Sequence, residues 1–395
     1  MQSSEDPAEY QPSISQWQVG VEELDRYRPA GYHPVHIGGR YHDRYEVVHK
    51  IRDYLAAKNV ALKVLVAAAK ESLESNILHT LSRGKETQQG RPYVSSLLDE
   101  FTIDGPNGRH LYLISEAAGC SIAQPKEAST TWMFPVNVAR AIAAQTLLGL
   151  DYIHSCQVVH GDLHSNNILF RMPSIEQLSI DGLYSKLGAP QKLPVERLDK
   201  GSNGPGVPSY CVSPGMIFES SEDIINPQIL ISDFGESFFK DTETRTGLHT
   251  PILLLPPELF FHERLTQAVD VWTLRYTLYE IQGERPLFES FMPDEAHVIA
   301  EMISTLGPLP QKWWDKWNQR ADLFLKNKSW DIDTKRSHAP YPRPLNERLR
   351  IMGRGEDPAT CEPSSSITTS TAIKSAWIEG WGWPAQREVS IKPAE

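Results

Sequence analysis

Glycine is missing from a long stretch near the start of this 395-residue chain. None occurs between Gly39 and Gly84, although the chain contains 25 glycines in all. Loops that wrap backbone N–H groups around phosphates depend on glycine, because its lack of a side chain permits close approach and unusual dihedral angles. A glycine-rich phosphate-binding loop is therefore excluded between residues 40 and 83.

Cysteine is also scarce. The four cysteines, Cys120, Cys156, Cys211 and Cys361, are widely scattered, and no Cys-x-x-Cys pair is present. Neither a zinc site nor a disulfide framework is indicated by this pattern. We therefore expect a reducing compartment, either the cytoplasm or the nucleus.

Long apolar runs and an excess of positive charge are both absent. No run reaches membrane-spanning length, and the acidic residues 1–6 lack the apolar core of a signal peptide. The formal net charge is −11, which argues against general nucleic-acid binding. An acidic field would attract basic substrates, although the acid excess could equally serve only solubility. We expect a monomer with a protein partner, without nucleic acid or membrane.

Two short motifs each join an acid to an apolar run. Residues 158–169 read Val-Val-His-Gly-Asp-Leu-His-Ser-Asn-Asn-Ile-Leu, with Asp162 five positions before Asn167. Residues 229–235 form an apolar run that ends in Asp233, Phe and Gly. Phosphoryl transfer needs a carboxylate that accepts the proton of the attacking hydroxyl, and oxygen ligands for Mg²⁺. Asp162 is therefore the candidate base, and Asn167 and Asp233 are candidate metal ligands.

Upstream of these motifs, one lysine lies in an otherwise apolar segment. Residues 60–66 predict a strand that contains Lys63. Lys63 is either an edge lysine with a buried stem or a lysine aimed at nucleotide phosphates, and the two acidic motifs favour the second interpretation. A helix is predicted over 71–81, where apolar residues recur every four positions. Glu74 on this helix could pair with Lys63, and Glu71 is the competing partner.

Further segments predict a mixed fold. Residues 95–103 and 109–116 indicate a hairpin around a turn at 104–108, followed by the small-residue connector 116–119. Residues 135–155 are apolar on most sides, which is typical of a buried helix, and 270–281 predict a second one.

Together these motifs resemble those of eukaryotic protein kinases, and most closely the SR-protein kinase family in its fungal form. The other segments that carry the resemblance are Gly31-Tyr-His-Pro-Val35, Ala61-Leu-Lys-Val64, Pro257-Glu258 and Asp270-Val-Trp272. The resemblance implies an α+β, bilobal protein-kinase-like fold with a small β-rich N-lobe and a larger helical C-lobe. It also implies ATP and Mg²⁺ as cofactors, and serine or threonine hydroxyls of proteins, Arg/Ser-rich segments among them, as acceptors.

Carried over position by position, the resemblance assigns a role to each candidate residue. Lys63 would bind phosphates, Glu74 would orient Lys63, Asp162 would be the base, and Asn167 and Asp233 would hold Mg²⁺. The Glu116 carbonyl and the Ala118 N–H would meet the adenine edge, and His164 stands where protein kinases usually carry a lysine near the γ-phosphate.

Domain boundaries follow from the same comparison of segments. Residues 1–30 are polar and contain prolines, and we expect a flexible arm. The N-lobe is expected over 31–118 and the C-lobe over 119–343. A Gly- and Pro-rich insertion at about 171–227 is expected to be a surface loop with a short helix or two. Residues 344–395 are of low complexity in part and are expected to be poorly ordered.

Four departures from the family pattern are visible. The glycine-rich loop is absent, and the eleven residues between Ile51 and Lys63 are too few for that loop, a second strand, a turn and a third strand. Gly161 replaces an arginine that would clasp a phosphorylated activation segment. His164 replaces the lysine noted above. No arginine is recognisable as a partner for Glu258, which matters if Glu258 is buried.

Two alternatives to an active protein kinase remain at this point. The missing loop is compatible with a catalytically impaired pseudokinase or scaffold. The loop His160-Gly-Asp-Leu-His164 followed by Asn167 also resembles small-molecule phosphotransferases of the aminoglycoside or choline type. The Pro257-Glu258 and Asp270-x-Trp272 pairs favour the protein kinase.

Overall fold

The structure is a computed structural model of the 395-residue chain. It describes ten ranges, namely 10–12, 21–50, 54–56, 60–67, 72–171, 178–215, 220–241, 245–289, 293–325 and 343–352. The strands and helices below are numbered in chain order within those ranges.

The N-terminal part is an antiparallel sheet with strand order β2-β3-β4-β5-β7-β6. Its strands are β2 (Arg40–Tyr41), β3 (Tyr45–Lys50), β4 (Tyr54–Ala56), β5 (Val60–Val64), β6 (Leu97–Gly105) and β7 (Gly108–Glu116). Strands β6 and β7 form the predicted hairpin, and its turn is tighter than expected because Gly105 pairs with Gly108. Buried aromatic and aliphatic side chains of Tyr45, Leu62, Phe101, Tyr112 and Ile114 pack together on this sheet.

The structure has a strand between β3 and β5 that the sequence analysis did not predict. The short strand β4 pairs with both neighbours, so a second strand does fit. It fits because each connection, 51–53 and 57–59, is only three residues long. Both connections lie outside the described residues. Three residues without glycine are too few to supply a glycine-rich phosphate-binding loop.

Helix α1 (Leu73–Ser82) begins two residues later than predicted. Ser72 accepts a hydrogen bond from the Ser75 N–H and so caps the helix. Ile77 and Leu81, from the predicted apolar stripe, are buried in the main core. The helix is thereby fixed against the body of the protein, with Glu74 directed towards the sheet.

The C-terminal part is mainly helical. Its helices are α2 (Ala123–Glu127), α3 (Val136–Ser155), α4 (Ile180–Leu187), α5 (Pro257–Phe260), α6 (Ala268–Gln282), α7 (Glu295–Leu306), α8 (Gln311–Lys316) and α9 (Leu345–Arg350). As predicted, α3 is buried on several sides and joins the main core, together with α1 and part of α6. A second core of tryptophans and aliphatic residues is shared by α6, α7 and α8. Within the described residues, no helix is both long and apolar enough to cross a bilayer.

Two short strand pairs carry the two acidic motifs. Strand β8 (Val158–Val159) pairs with β13 (Phe238–Phe239), and β9 (Ile168–Phe170) pairs with β12 (Ile229–Ile231). The residues between β8 and β9 and those between β12 and β13 are therefore brought side by side. These pairings explain how segments some 70 positions apart in the sequence meet.

The insertion contains more regular structure than expected. Besides α4 it holds β10 (Lys192–Arg197) and β11 (Tyr210–Val212), which form a small sheet with β1 (Tyr10–Pro12) of the predicted arm. The expected flexible arm is also corrected by Leu24 and Tyr27, which are buried against residues of this insertion. The Lys50 ammonium lies 2.6 Å from the Glu22 carboxylate, which joins the arm to β3.

The predicted start of the poorly ordered tail, residue 344, lies too early in the chain. Helix α9 lies within it, and Leu345 and Arg348 on this helix are buried. Arg348 Nη2 lies 2.6 Å from Glu301 Oε2 on α7. This ion pair and the apolar contacts of Leu345 keep residues 345–350 in the fold. Residues 353–395, including the three tail tryptophans, lie outside the described residues.

Candidate active site

Lys63 on β5 stands between two carboxylates. Its Nζ lies 2.8 Å from Glu74 Oε1 and 2.9 Å from Asp233 Oδ1. Glu74 is buried, whereas the Lys63 side chain is 30% exposed. The predicted Lys63–Glu74 pair is therefore present and joins the sheet to α1. The competing candidate Glu71 lies outside the described residues.

Asp162 and Asn167 are joined directly. The Asn167 Nδ2 donates to the Asp162 carbonyl at 2.8 Å and to Asp162 Oδ2 at 3.0 Å. This hydrogen bonding orients the Asn167 amide, with its oxygen on the side away from Asp162. Asp162 Oδ1 is buried and has no hydrogen-bond partner within the described residues.

His164 is the neighbour that tunes Asp162. Its Nδ1 accepts from the Asn166 N–H, and its Nε2 lies 3.4 Å from Asp162 Oδ2. Burial raises the pKa of Asp162, but the interactions with His164, together with smaller effects of Thr250 and His160, outweigh burial, and the net pKa is lowered. Asp162 is therefore an anion at neutral pH, as a proton acceptor must be.

The backbone of the loop that carries Asp162 is held in place by Asp270 of α6. Asp270 Oδ2 accepts from the His160 N–H at 2.7 Å, and Oδ1 accepts from the Gly161 N–H at 2.8 Å. The Asp270 carboxylate is fully buried and also contacts His154 Nε2 at 2.8 Å. The sequence analysis quoted the Asp270-x-Trp272 pair but assigned it no role. A lone acid in an otherwise buried helix was the signal for this supporting contact.

His160 and Ser232 connect the two acidic motifs, and sequence reasoning missed both. The Ser232 N–H and hydroxyl donate to the Asn167 carbonyl at 2.9 and 3.1 Å. The His160 Nε2 donates to the Ser232 carbonyl at 3.1 Å, and its ring lies 5.1 Å from that of Phe234. Asp233 therefore follows a residue bonded to Asn167, which brings Asp162, Asn167 and Asp233 to one place.

A cavity of about 100 Å³ lies beside Lys63 and Asp233. Its apolar walls come from both parts of the fold, and its edge is formed by the connector residues Glu116 and Ala118. The following residue Gly119 donates its N–H to the Phe170 carbonyl at 2.7 Å, which fixes this connector against β9. The apolar residues that line the cavity are Ala61, Leu78, Leu97, Leu113, Leu169, Leu230 and Phe234.

The predicted site residues thus fall into two adjoining groups. Lys63, Glu74, Glu116, Ala118 and Asp233 line the cavity. Asp162, His164 and Asn167 lie in the neighbouring loop and are linked to it through Ser232. The oxygens of Asp233 and Asn167 are the hard donors that Mg²⁺ prefers, so the residues present fit that ion.

Comparison with known proteins agrees with this geometry. The protein kinase domain family matches residues 44–187. A serine/threonine protein kinase of Aspergillus fumigatus is 26% identical over 322 residues, which are 76% of this chain and 74% of that protein. The serine/threonine-protein kinase SRPK of Physarum polycephalum is 25% identical over 338 residues, covering 77% of this chain and 76% of that protein.

A shorter sequence match and one solved structure are also kinases. The protein kinase Dsk1 of Schizosaccharomyces pombe is 34% identical over 165 residues, which are 38% of this chain and 30% of that protein. The crystal structure of the PF14_0431 kinase domain is 17% identical, with a TM-score of 0.54, and covers 79% of this chain and 88% of its own.

The chain resembles SR-protein kinases, and its residues 44–187 match the protein kinase domain family. The predicted resemblance and the bilobal α+β fold are confirmed. The small-molecule phosphotransferase alternative is set aside, because the matched relatives are protein serine/threonine kinases. The roles of the individual site residues stay predictions.

The backbone conformation at position 161 requires a glycine. Its φ is +81°, and a Cβ built there would lie 2.6 Å from the Glu236 carbonyl oxygen. An arginine at position 161 would therefore be both strained and in collision. The neighbouring segment is instead held by Glu236, whose carboxylate lies 3.0 Å from Arg245 and 2.8 Å from His249.

Glu258 is buried, and no arginine among the described residues pairs with it. Only 5% of Glu258 is exposed, and its Oε2 has no hydrogen-bond partner. Burial raises the pKa of Glu258 to about 7, with a smaller opposing effect from Lys312. The arginine on α9, Arg348, pairs with Glu301 instead.

Proposed function

We propose that this kinase transfers the γ-phosphoryl group of Mg²⁺-ATP to serine or threonine hydroxyls in Arg/Ser-rich protein segments. One observation carries the proposal, namely the contact of Lys63 with both Glu74 and Asp233. In phosphoryl transfer by kinases, the lysine and its glutamate must be in place together with the metal-binding aspartate. Here the three side chains are in contact.

Each residue then has a defined task. Lys63, fixed by Glu74, would neutralise the inner phosphates, and Asp162 would accept the proton of the attacking hydroxyl. Asp233 and Asn167 would hold Mg²⁺, which when bound neutralises charge on the β- and γ-phosphates. His164, whose Nε2 lies 3.4 Å from Asp162 Oδ2, would help to keep Asp162 anionic.

Nucleotide binding is expected to be weaker than in a kinase with a glycine-rich loop. The cavity of about 100 Å³ is smaller than the roughly 300–1,000 Å³ typical of small-molecule sites. The connection 51–53 is too short to cover the phosphates. The apolar walls and the connector 116–118 would therefore bind the base, while the triphosphate stays more exposed to water.

Arg/Ser-rich acceptors are supported by charge and by the relatives. The chain carries 50 acidic and 39 basic residues, so its field attracts cationic segments. A human relative that is 31% identical over 179 residues is named SRSF protein kinase 3. We extend that substrate class to this chain as part of the proposal.

We also propose the cellular compartment and the oligomeric state of the chain. Within the described residues no disulfide joins Cys120, Cys156 or Cys211, which suits a reducing compartment. We place the kinase in the cytoplasm or nucleus as a monomer, acting on protein rather than nucleic acid or membrane.

A catalytically impaired scaffold is the second candidate. The three-residue connection 51–53 and the small cavity favour it, because both predict weak nucleotide binding. The two functions differ in one property only, which is whether phosphate reaches an acceptor.

The deciding experiment combines two measurements on the full chain. Thermal unfolding is followed during titration with Mg²⁺-ATP, and transfer of labelled γ-phosphate is followed to an Arg/Ser peptide and to a serine peptide with neutral flanks. The kinase proposal expects a stabilising shift and transfer that is faster to the Arg/Ser peptide. No shift and no transfer at millimolar ATP would establish the scaffold instead.

A further inference from the structure

One row of side chains crosses three strands of the N-terminal sheet. Lys63 on β5 pairs with Leu113 on β7, and Leu113 pairs in turn with Glu100 on β6. Residues directly opposite each other in neighbouring strands place their side chains on the same face of a sheet. Lys63 and Glu100 therefore stand on one face, about 10 Å apart, which is two strand spacings.

Helix α1 contacts both ends of this row. At one end Glu74 Oε1 lies 2.8 Å from Lys63 Nζ. At the other end Glu100 Oε2 accepts a hydrogen bond from the Ser75 hydroxyl, and Glu100 Oε1 lies 3.0 Å from His79 Nε2. Because a carboxylate only accepts, His79 Nε2 is the donor in the second contact. The sheet therefore holds the helix by polar contacts at two points.

The two attachments project from the helix in different directions. Successive residues of an α-helix are turned by about 100° around its axis, so Ser75 projects about 100° away from Glu74, and His79 about 140° away. Ser75 and His79 are four positions apart and share one face. A single attachment leaves a helix free to roll about its axis, whereas two attachments in different directions prevent that rotation.

Apolar packing holds the helix but does not set its rotation. Ile77, Leu78 and Leu81 bury one side of α1 in the main core, which also contains Leu113. The free energy of such burial is non-directional, whereas hydrogen bonds weaken steeply when they are bent. The contacts with Glu100 are therefore the ones that fix the direction in which Glu74 projects.

Glu100 is itself fixed to another strand through its neighbour. The Glu100 N–H donates to Asp99 Oδ1 at 3.0 Å. Asp99 Oδ2 accepts from the Tyr45 hydroxyl and from Arg44 Nη1, both at 2.8 Å. Side chains alternate along a strand, so Asp99 faces Tyr45 while Glu100 faces α1. The register of β6 shifts between Leu97 and Asp99, and such irregularities re-aim the side chains that follow.

The charge of Glu100 suits this contact. Burial raises the pKa of Glu100, but the hydrogen bonds of Ser75 and His79 and the charge of His79 outweigh burial, and the net pKa is lowered. The side chains of His79 and Glu100 are 40% and 33% exposed. Contacts as exposed as this one contribute little to overall stability, so we expect Glu100 to act on the orientation of α1 rather than on folding.

We propose that Glu100 is a positioning residue for phosphate transfer, which orients α1 so that Glu74 reaches Lys63. Glu100 is not among the residues that line the cavity, so it acts only through the helix. The inference rests on the proposed function, because that function gives Lys63 and Glu74 their role in the use of ATP.

The test compares kinetics, stability and helix dynamics in variants of the full-length chain. Glu100→Ala removes both contacts, and Ser75→Ala removes one of them while it introduces a better helix former. Glu100→Gln keeps an acceptor and adds a donor at the same place. Asp104→Ala is the matched control, because Asp104 is an exposed acid on the same strand and, four positions further on, the same face.

We expect Glu100→Ala to lower kcat/KM for ATP by about tenfold, which is part of the roughly 100-fold that a misplacement of about 1 Å can cost. Ser75→Ala should lower it in the same direction, and Asp104→Ala should leave it unchanged. In Glu100→Gln the loss should stay below about threefold, because the amide can accept from Ser75 and donate to the other tautomer of His79.

Two further readouts separate orientation from stability. The melting temperature of each variant should stay within about 3 °C of the wild type. Amide hydrogen exchange over residues 73–82 should be faster in Glu100→Ala than in the wild type or in Asp104→Ala, because the helix gains freedom to move.

A double variant tests whether Glu100 acts through Glu74. In a chain that already carries Glu74→Gln, Glu100→Ala should cause no further loss of kcat/KM, since residues that act through one contact have non-additive effects. A full additional loss in the double variant would show that Glu100 acts by another route, and it would overturn the proposal.

The remaining outcomes distinguish this inference from the proposed function. If Glu74→Gln impairs the use of ATP but Glu100→Ala behaves like Asp104→Ala in kinetics or in hydrogen exchange, the positioning role is wrong and the proposed function stands. If the wild type transfers no phosphate, or Glu74→Gln has no effect, the proposed function fails and the positioning role fails with it. Ser75→Ala decides the same questions if Glu100→Ala does not fold.

Discussion

Lys63 Nζ lies 2.8 Å from Glu74 Oε1, and this ion pair joins β5 of the sheet to helix α1. Glu74 is only 8% exposed, so its charge depends on Lys63 for compensation. The pair fixes the ammonium group beside Asp233 and thereby shapes the phosphate side of the cavity.

Replacement of Glu74 by Gln should therefore impair nucleotide use. Without the Glu74 anion Lys63 loses one of the two carboxylates that fix its position, and misplacement of a catalytic group costs about 100-fold in rate. We expect kcat/KM for ATP to fall by about 10- to 100-fold, measured by steady-state phosphate transfer. Glu86→Gln is the matched control, because Glu86 is 89% exposed where it meets Arg91. Equal kinetics in the two variants would remove Glu74 from the site.

Gly161 should not tolerate a side chain. Its φ of +81° and the short approach to the Glu236 carbonyl predict that Gly161→Ala lowers the free energy of unfolding by about 1–3 kcal/mol. Urea unfolding followed by fluorescence measures this change. Gly204→Ala serves as the control, since nothing lies within 4 Å of a Cβ at that position. The account of Gly161 fails if both variants are equally stable.

Stability should depend on pH through Glu258. Burial raises its pKa from 4.5 to about 7 in the folded state, so between these values the folded state binds more protons than the unfolded state. This contribution to stability is complete below pH 4.5 and is lost as the pH rises to about 7.

Glu258→Gln isolates this effect. A neutral isostere removes the buried charge, and at pH 8 it should raise the free energy of unfolding by about 3 kcal/mol, given about 1.4 kcal/mol per pKa unit. At pH 5 the variant and the wild type should be nearly equal. Glu263→Gln is the control for the neighbouring carboxylate, which lies 3.0 Å from Lys316. A gain that is the same at both pH values would contradict the assignment to Glu258.

The missing loop can be restored by grafting. Replacement of residues 51–53 by a hairpin containing a Gly-x-Gly-x-x-Gly sequence should lower KM for ATP by about tenfold, because backbone N–H groups would then wrap the phosphates. A graft of the same length with alanine in place of each glycine is the control. If both grafts leave KM unchanged, the loop is not what limits nucleotide binding.

Much of the active site was predictable because its residues occur in short, distinctive patterns. Asp162 and Asn167 are five positions apart, and Asp233 ends an apolar strand, so local spacing alone places each on a loop. Lys63 and Glu74 are eleven positions apart on neighbouring elements, and their pairing follows from the order of strand and helix.

Other features depend on contacts that spacing does not encode. Strand β4 was missed because three residues are too few for a periodic signal. The sheet of the insertion escaped notice because its third strand comes from the distant residues 10–12. His160 and Ser232 link the two motifs through backbone carbonyls, and any residue has such a carbonyl. Helix α9 was overlooked because the burial of Arg348 requires Glu301 from another helix.

The central claim is that Asp162 accepts a proton during phosphate transfer from ATP. Single-turnover transfer of labelled γ-phosphate to an Arg/Ser peptide, compared between wild type and Asp162→Asn, tests it most directly. We predict measurable transfer by the wild type and a rate at least about 100-fold lower in the variant, with unchanged melting temperature and ATP affinity. Transfer at equal rates in both proteins, or none in the wild type saturated with Mg²⁺-ATP, would contradict the account.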